Sequence, residues 1–353
     1  MKAEDYLKGR GAQYNPVNPF LKQEYVAAHV EGIDEPMLLN SSTEFLTEHP
    51  KTVVNKVESP DLGLSYSLNP YQGCEHGCIY CYARNTHQYW GYGAGLDFER
   101  KIIVKEDASQ TLARQLENKN WQVMPIMLAG NTDCYQPIEA RKKLTRQILE
   151  VLLEYRHPVS IITKNALILR DLDLLQELNK LDLVHVNISI TTLDEKLRQK
   201  LEPRTATAAK RMEVVRQLSA AGLPVNVMVA PVIPGLNDSE IPRIIQRAAE
   251  AGACNAAYTI VRLNGSVGPI FEDWIRQAFP EKADKVLSQI ADCHGGQLND
   301  SRFGTRMHGE GRFAQAIGNL FRISKQKYMQ GRSTRPFNYT HFCQRKGRQL
   351  GLF

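Results

Sequence analysis

Three cysteines crowd into eight residues of this chain: Cys74, Cys78 and Cys81, spaced Cys-x3-Cys-x2-Cys in the run Leu68-Asn69-Pro70-Tyr71-Gln72-Gly73-Cys74-Glu75-His76-Gly77-Cys78-Ile79-Tyr80-Cys81-Tyr82-Ala83-Arg84. Three neighbouring thiolates can bind three irons of a cubane cluster, since such clusters are held by cysteine thiolates. The fourth iron then keeps an open position, which a catalytic metal needs and a structural site avoids. Gly73 and Gly77 let the backbone turn tightly around a bulky group. Ligand chemistry alone leaves alternatives. A structural zinc wants four ligands, often as two separated pairs; His76 or His87 could supply a fourth locally, but the later cysteines form no second pair. A structural or electron-transferring cluster would also want a fourth ligand.

Cys134, Cys254, Cys293 and Cys343 bring the total to seven. An odd, clustered set favours metal binding over a disulfide framework in a reducing compartment. No apolar run approaches the roughly 18 residues of a membrane helix. The opening residues, Met1-Lys2-Ala3-Glu4-Asp5-Tyr6, lack the apolar core of a signal peptide. The expectation is a cytoplasmic protein away from the membrane. The net charge of +6 is uneven: residues 296–353 hold eleven Lys or Arg against Asp300 and Glu310, a surplus of +9, and the preceding part sums to −3. Such an end suits DNA or another polyanion, and equally a solvated tail.

The cysteines must be positioned by the elements around them. From about Ser65 to Arg262, short β-rich runs alternate with amphipathic helices. The expected strands are Ser65–Leu68, Val123–Leu128, Val159–Thr163, Leu183–Ile190, Val225–Val229 and Ala257–Val261. Helices are expected over Ala140–Tyr155, Leu167–Leu178, Ala206–Ala221 and Ser239–Ala251, then over Ile270–Phe279, Glu281–Ala291 and Gly311–Lys327. Leu144, Ile148, Val151 and Leu152 have the spacing of one buried helix face. Strand–helix alternation points to βαβ units and a parallel sheet. Six repeats suggest an α/β fold, a partial (β/α)6 TIM-like barrel; an open doubly wound sheet fits the pattern too. The expected organisation is an N-terminal extension at 1–60, the barrel at 61–295 and a basic C-terminal extension at 296–353.

The loop Cys-x3-Cys-x-aromatic-Cys, with Tyr80 as the aromatic, resembles the defining loop of radical S-adenosylmethionine (SAM) enzymes. The longer string Asn-Pro-Tyr-x-Gly-Cys-x-His-x-Cys-x-Tyr-Cys-Tyr is similar to the spore photoproduct lyase-related branch, often labelled DNA repair photolyases. Asn131-Thr132-Asp133-Cys134-Tyr135-Gln136-Pro137-Ile138-Glu139, Ser189-Ile190-Thr191-Thr192-Leu193-Asp194, Leu201-Glu202-Pro203-Arg204 and Ala230-Pro231-Val232-Ile233-Pro234-Gly235-Leu236-Asn237-Asp238 resemble further landmarks of that branch, in order. The flanks Gly9-Arg10-Gly11-Ala12 and Asp300-Ser301-Arg302-Phe303-Gly304 resemble an uncharacterised subgroup of it.

The resemblance implies a 4Fe–4S cluster on Cys74, Cys78 and Cys81, with SAM chelated to the unique iron. It implies reductive cleavage of SAM to a 5′-deoxyadenosyl radical that abstracts hydrogen from a substrate, and an electron donor such as flavodoxin or ferredoxin. The cofactors carry the chemistry, and the protein positions them. By position, Tyr80 packs beside the cluster, with ordinary core packing as its alternative. Gly130, Asn131, Thr132 and Asp133 lie where the family binds the SAM amino group; Asp133 could instead cap the helix after it. Ser189 and Thr191 lie where the ribose is held. Lys164 and Arg204 are candidates for the SAM carboxylate, or exposed charges, and Ile233 and Val261 face the adenine. Spore photoproduct lyase uses a cysteine near the end of its second strand as hydrogen donor; the matching position here is Gly130 or Asn131. Cys134 lies nearby as a candidate donor, or as a small buried hydrophobe.

The chain's last residues, Gln349-Leu350-Gly351-Leu352-Phe353, resemble the pentapeptide by which bacterial proteins dock on the DNA sliding clamp. Gln349 would make polar contacts while Leu350, Leu352 and Phe353 fill an apolar pocket; folding back onto the barrel is the alternative. The expectations are therefore an enzyme acting on DNA lesions or another nucleic acid, a radical SAM enzyme for a protein, peptide or small molecule, or a non-catalytic cluster or zinc protein docking on the clamp.

Overall fold

A computed structural model describes residues 7–20, 42–61, 63 and 65–345. Its strands are β1 (Glu44–Glu48), β2 (Val54–Lys56), β3 (Tyr66–Leu68), β4 (Tyr71–Gln72), β5 (Lys101–Lys105), β6 (Ile126–Leu128), β7 (Val159–Thr163), β8 (Val184–Ser189), β9 (Val225–Val232) and β10 (Asn255–Ile260). One sheet has the order β10-β9-β8-β7-β6-β3-β2. In it β3 and β6 to β10 are parallel, and β2 adds an antiparallel edge beside β3. β10 and β2 are unpaired with each other, so the sheet stays open: a partial (β/α)6 barrel, as the alternation suggests.

All six expected parallel strands are present because each carries apolar residues for two covered faces. Ile161, Val186, Val225 and Val227 have no exposed surface. Of the boundaries that differ from expectation, two have clear local reasons. The strand expected from Val123 starts only at Ile126, after Pro125, which lacks an N–H for the ladder. The helix expected over 140–155 is two helices, Glu139–Lys142 and Leu144–Glu154, broken at Lys143 in the left-handed region (φ 54°). Among the described residues no helix is long and apolar enough to cross a membrane.

The N-terminal segment is built into this frame. β2 joins the main sheet, while β1 pairs parallel with β5 in a second, three-stranded sheet whose third member is β4. That small sheet delivers Tyr71 and Gln72 directly to Gly73, the start of the cysteine loop.

Residues 331–345 form a strap under the opposite pole, crossing the N-terminal ends of the barrel strands in turn. Arg332 donates to the carbonyls of Ala249 and Ala253 (2.8 and 2.9 Å), and Thr334 donates to Asn226 (2.7 Å). Phe337 stacks on His185 at 3.7 Å, Asn338 N–H donates to the Asp182 carbonyl, and Gln344 donates to the Leu116 and Asn118 carbonyls. Arg345 pairs with Glu154 and lies over the Tyr155 ring. Of the two expected courses, a solvated tail or folding back onto the barrel, the end segment takes the second as far as residue 345. Arg306, Arg335 and Arg345 are met by Asp61, Asp182 and Glu154 from outside the segment, so the +9 surplus overstates the free positive surface.

Candidate functional site

The cysteine loop sits at the C-terminal mouth of the parallel strands. Cys74 N–H donates to the Phe98 carbonyl (2.8 Å), Ile79 N–H to the Leu201 carbonyl (3.0 Å), and Arg204 N–H to the His76 carbonyl (3.3 Å). Two glycines make the turn. Gly73 (φ +79°) and Gly77 (φ +67°) are left-handed, and a Cβ at Gly73 would lie 2.8 Å from the Lys101 carbonyl oxygen. Cys74 and Cys78 are buried and Cys81 is nearly so, all three as free thiols. Burial pushes every one of these thiols up, Cys78 to about 12, and their mutual repulsion adds to this at Cys74 and Cys78. Such thiols ionise when a metal takes the proton's place. Among the described residues no three His, Cys, Asp or Glu side chains gather tightly around one point as a single ion needs. A cubane puts each cysteine on its own iron and needs no such convergence.

The loop is held from below by a buried ion pair that sequence reading missed. Arg84 has no exposed surface; its Nη2 donates to Glu99 Oε1 (2.6 Å) and its Nε to the Cys78 carbonyl (3.0 Å). Glu99 also accepts from the backbone N–H groups of Gly11 (3.0 Å) and Ala12 (2.8 Å). A Cβ on Gly11 would stand 1.9 Å from the Gly77 carbonyl oxygen. The Gly9–Ala12 flank is therefore a wedge under the cysteine loop. Arg10 carries it further, donating to the Glu99 carbonyl (2.8 Å).

A second brace comes from the end of β6. The Asn69 side-chain oxygen accepts from the N–H groups of Asn131 (2.9 Å) and Thr132 (3.3 Å), which explains an Asn before the Pro-Tyr pair. Gln136, fully buried, donates to the Gly73 carbonyl and accepts from Glu75 N–H. Glu139, also fully buried, accepts from Tyr71 Oη and Arg170. Tyr82, which follows the third cysteine and keeps 48% of its surface exposed, donates its hydroxyl proton to the Gly130 carbonyl.

The sequence-derived candidates fall into distinct groups. Tyr80 Oη donates to Glu202, which also accepts from Thr191 (2.6 Å) and from buried Arg211. Burial alone would raise the Glu202 carboxyl; Arg211 and Lys164 overcome it and hold it down to about 2. Arg211 also donates to the Ser189 carbonyl (3.0 Å), so one carboxylate ties the cysteine loop to the end of β8. Ile233 and Val261 join Cys78, Ile79 and Tyr80 in one apolar cluster. The Lys164 ammonium makes no hydrogen bond or ion pair among the described residues, its backbone N–H alone donating to Asp133 (2.8 Å). Burial disfavours its charge, but Cys78 and Glu202 more than offset that, and its pKa lies above the ordinary value.

Asp133 and Arg204 take other partners than those expected, and Cys134 takes the second of its two expected roles, that of a small buried hydrophobe. Asp133 is a strut: its oxygens accept from Tyr135 N–H, Thr163 Oγ1 and Lys164 N–H at 2.8–2.9 Å, and His76 Nδ1 lies 3.4 Å away. Three of a carboxylate's roughly four lone-pair sites are thus filled internally. It caps no helix, since Ile138 holds that position. Arg204 turns to Glu75 (3.4 Å) on the cysteine loop. Cys134 is fully buried in the main core, its thiol driven well up by burial and by Asp133, so it has no surface from which to donate hydrogen to a substrate. The adjacent backbone explains this: the Cys134 carbonyl accepts from Thr145 Oγ1 on the helix packed behind it. Gln349, Leu350, Leu352 and Phe353 lie outside the described residues.

The chain is 36% identical over 234 residues to the uncharacterized protein Rv2578c of Mycobacterium tuberculosis, covering 65% of this chain and 69% of that one. It is 30% identical over 253 residues to the uncharacterized protein MJ0683 of Methanocaldococcus jannaschii, covering 72% and 90%. Its fold is similar to that of spore photoproduct lyase complexed with dinucleoside spore photoproduct, at TM-score 0.59 and 17% identity over 86% of each chain. The Radical SAM superfamily model matches residues 68–248, spanning the cysteine loop and the strands around it, and the chain belongs to that superfamily.

Proposed function

We propose that this radical SAM enzyme acts on a nucleic-acid substrate, with Cys74, Cys78 and Cys81 holding the cluster and Lys164 binding the SAM carboxylate. The superfamily uses a 4Fe–4S cluster and SAM. The residues present fit both groups. Three buried thiols with raised pKa values suit an iron cluster. An ammonium with no hydrogen bond or ion pair beside them suits a carboxylate. When bound and reduced, the cluster supplies the electron that breaks a carbon–sulfur bond of SAM.

The chain's own residues do the positioning. Glu202 fixes Tyr80 and Thr191, so the aromatic face beside Cys78 and the polar end of β8 keep one relative geometry. Ile233 and Val261 give the adenine an apolar wall that excludes water. Gly130 and Asn131, held by Asn69 and Tyr82, present backbone groups to the SAM amino end.

The observation that carries the catalytic reading is the unpaired Lys164 ammonium within electrostatic reach of Cys78 and Cys81 of the three-cysteine loop. The nucleic-acid reading is supported by the fold shared with a lyase that is complexed with a dinucleoside photoproduct. It is supported also by the clamp-like ending. Because 331–345 strap the barrel, the deletion that tests clamp docking removes only residues 346–353. The substrate test is direct: the reconstituted enzyme, SAM and a reductant are incubated with ultraviolet-irradiated and untreated DNA, and the nucleosides are analysed by mass spectrometry. A product or a lost lesion that requires both SAM and enzyme is expected. DNA left unchanged while a peptide or metabolite fraction is modified would end the nucleic-acid reading.

A further inference from the structure

Arg262 follows the last barrel strand, next to Val261 of the apolar cluster around Cys78 and Tyr80. Its guanidinium is partly buried, yet it makes no hydrogen bond or ion pair among the described residues. The neighbouring carboxylates are engaged elsewhere. Asp61 accepts from Arg306 (2.6 Å) and from Gly304 N–H (2.8 Å), while Asp300 accepts from Arg302 (2.8 Å) and Thr305 (2.9 Å). Glu310 is taken by Arg302 as well. A half-buried guanidinium with five donors and no protein acceptor is free to engage an anion. Burial and then the nearby Arg306 charge both disfavour the Arg262 cation, as expected for a group whose counter-ion arrives with a ligand.

Two exposed aromatic side chains lie near this charge and that of its neighbour Arg306. Tyr82 is within electrostatic reach of Arg262, and its hydroxyl reaches the Gly130 carbonyl. Phe303, 59% exposed, lies under the Arg306 guanidinium at 4.4 Å from its ring centre. Met307, in the same loop, accepts from Ile260 N–H at the free edge of β10, and Arg306 reaches Asp61 and Ser59 between β2 and β3. The Asp300–Gly304 motif therefore begins a loop that runs from the free edge of β10 to the β2–β3 connection, and its Phe303 ring packs on Arg306, within electrostatic reach of Arg262. Lys164 faces a different set of neighbours, namely Cys78, Glu202, Arg211 and Asp133. The two unpartnered cations thus serve different places: Lys164 the interior, Arg262 the rim.

We propose that Arg262 binds a backbone phosphate, and Tyr82 and Phe303 stack on unpaired bases, of a single-stranded or locally opened nucleic-acid substrate. The inference rests on the nucleic-acid reading above and deepens it. Phosphate suits a guanidinium fork, which engages two oxygens at once. Exposed aromatic faces beside positive charge are the combination by which proteins hold single-stranded nucleic acid without reading sequence. An acidic peptide would use the arginine but leave both rings without a purpose.

The test is fluorescence anisotropy of a labelled single-stranded oligonucleotide with the reconstituted protein across a salt series. Arg262→Gln is expected to weaken binding about tenfold or more and to make the slope of log K against log salt shallower by about 0.7. Phe303→Leu is expected to weaken binding several-fold with the slope unchanged, because stacking releases no counter-ion. SAM affinity should be unchanged in both variants, which also shows that they are folded. Wild-type protein that fails to bind the oligonucleotide would overturn the nucleic-acid reading and the rim site together. Wild-type binding that Arg262→Gln leaves intact in strength and slope would overturn the rim site alone. Loss of SAM affinity in Arg262→Gln, or equal competition by polyglutamate, would reassign Arg262 to a carboxylate and likewise overturn it.

Discussion

Glu202→Ala is expected to destabilise the protein by about 3–5 kcal/mol, because it strands the Arg211 guanidinium in the interior. Arg211 and Glu202 are both within 2% of complete burial, and the carboxylate also accepts from Tyr80 and Thr191. Urea unfolding of the apo-protein reads this without any cofactor. Glu202→Gln separates charge from shape: it keeps the volume but removes the anion that holds Arg211. The pH dependence has a definite sign. The carboxyl has an ordinary value of 4.5 and is held at about 2 in the fold. Its stabilisation is therefore complete above about pH 4.5 and is lost as the pH falls towards 2. Wild type should lose stability more steeply than Glu202→Gln across that window. Parallel pH curves for the two proteins would show that Arg211 needs no carboxylate.

Glu99→Ala is the second large effect. It removes the partner of Arg84 and leaves the Gly11 and Ala12 N–H groups without their acceptor, all in a region with no exposed surface on either charged side chain. Breaking a buried pair of this kind costs about 3–5 kcal/mol. Here the damage lies directly beneath the cysteine loop, because Arg84 also holds the Cys78 carbonyl. Iron content after anaerobic reconstitution should fall along with the unfolding midpoint. Glu99→Asp, which keeps the charge but shortens the reach, should recover part of both. Full iron occupancy in Glu99→Ala would mean that the wedge from the N-terminal segment is dispensable for assembling the site.

Neither effect was legible in the sequence, although much else was. The parallel strands announce themselves because their burial on two faces demands runs such as Val225-Asn226-Val227-Met228-Val229. The cysteine loop is legible because its three candidate ligands lie within eight residues of each other. Glu99 carries no such mark: its partners are 15 residues away at Arg84 and 87–88 away at Ala12 and Gly11, so only the folded chain brings them together. The flank Gly9-Arg10-Gly11-Ala12 could be seen as a motif but not as a wedge, since the reason for Gly11 is the Gly77 carbonyl pressed against it. Asn69 reads as part of a turn until its side chain is seen bridging to Asn131 and Thr132.

Charge counting and proximity left two alternatives open in two places, which only the fold decides. The basic end segment has the composition of a tail, but its backbone and side chains are tied to the starts of the strands, and Arg345 finds Glu154. Cys134 stands one residue after a mouth-facing Asp133, yet the chain turns there and sends the thiol into the core. In both cases adjacency along the sequence was a poor guide to which side of the fold a group would occupy.

The most direct test of the central claim is to reconstitute the protein anaerobically, count iron per chain, and measure 5′-deoxyadenosine after adding SAM and a strong reductant, beside a Cys78→Ala control. The account expects about four irons per chain in the wild type, 5′-deoxyadenosine formed only there, and both lost in the control. A wild type that takes up no iron, or a Cys78→Ala protein that forms the product as fast, would contradict it.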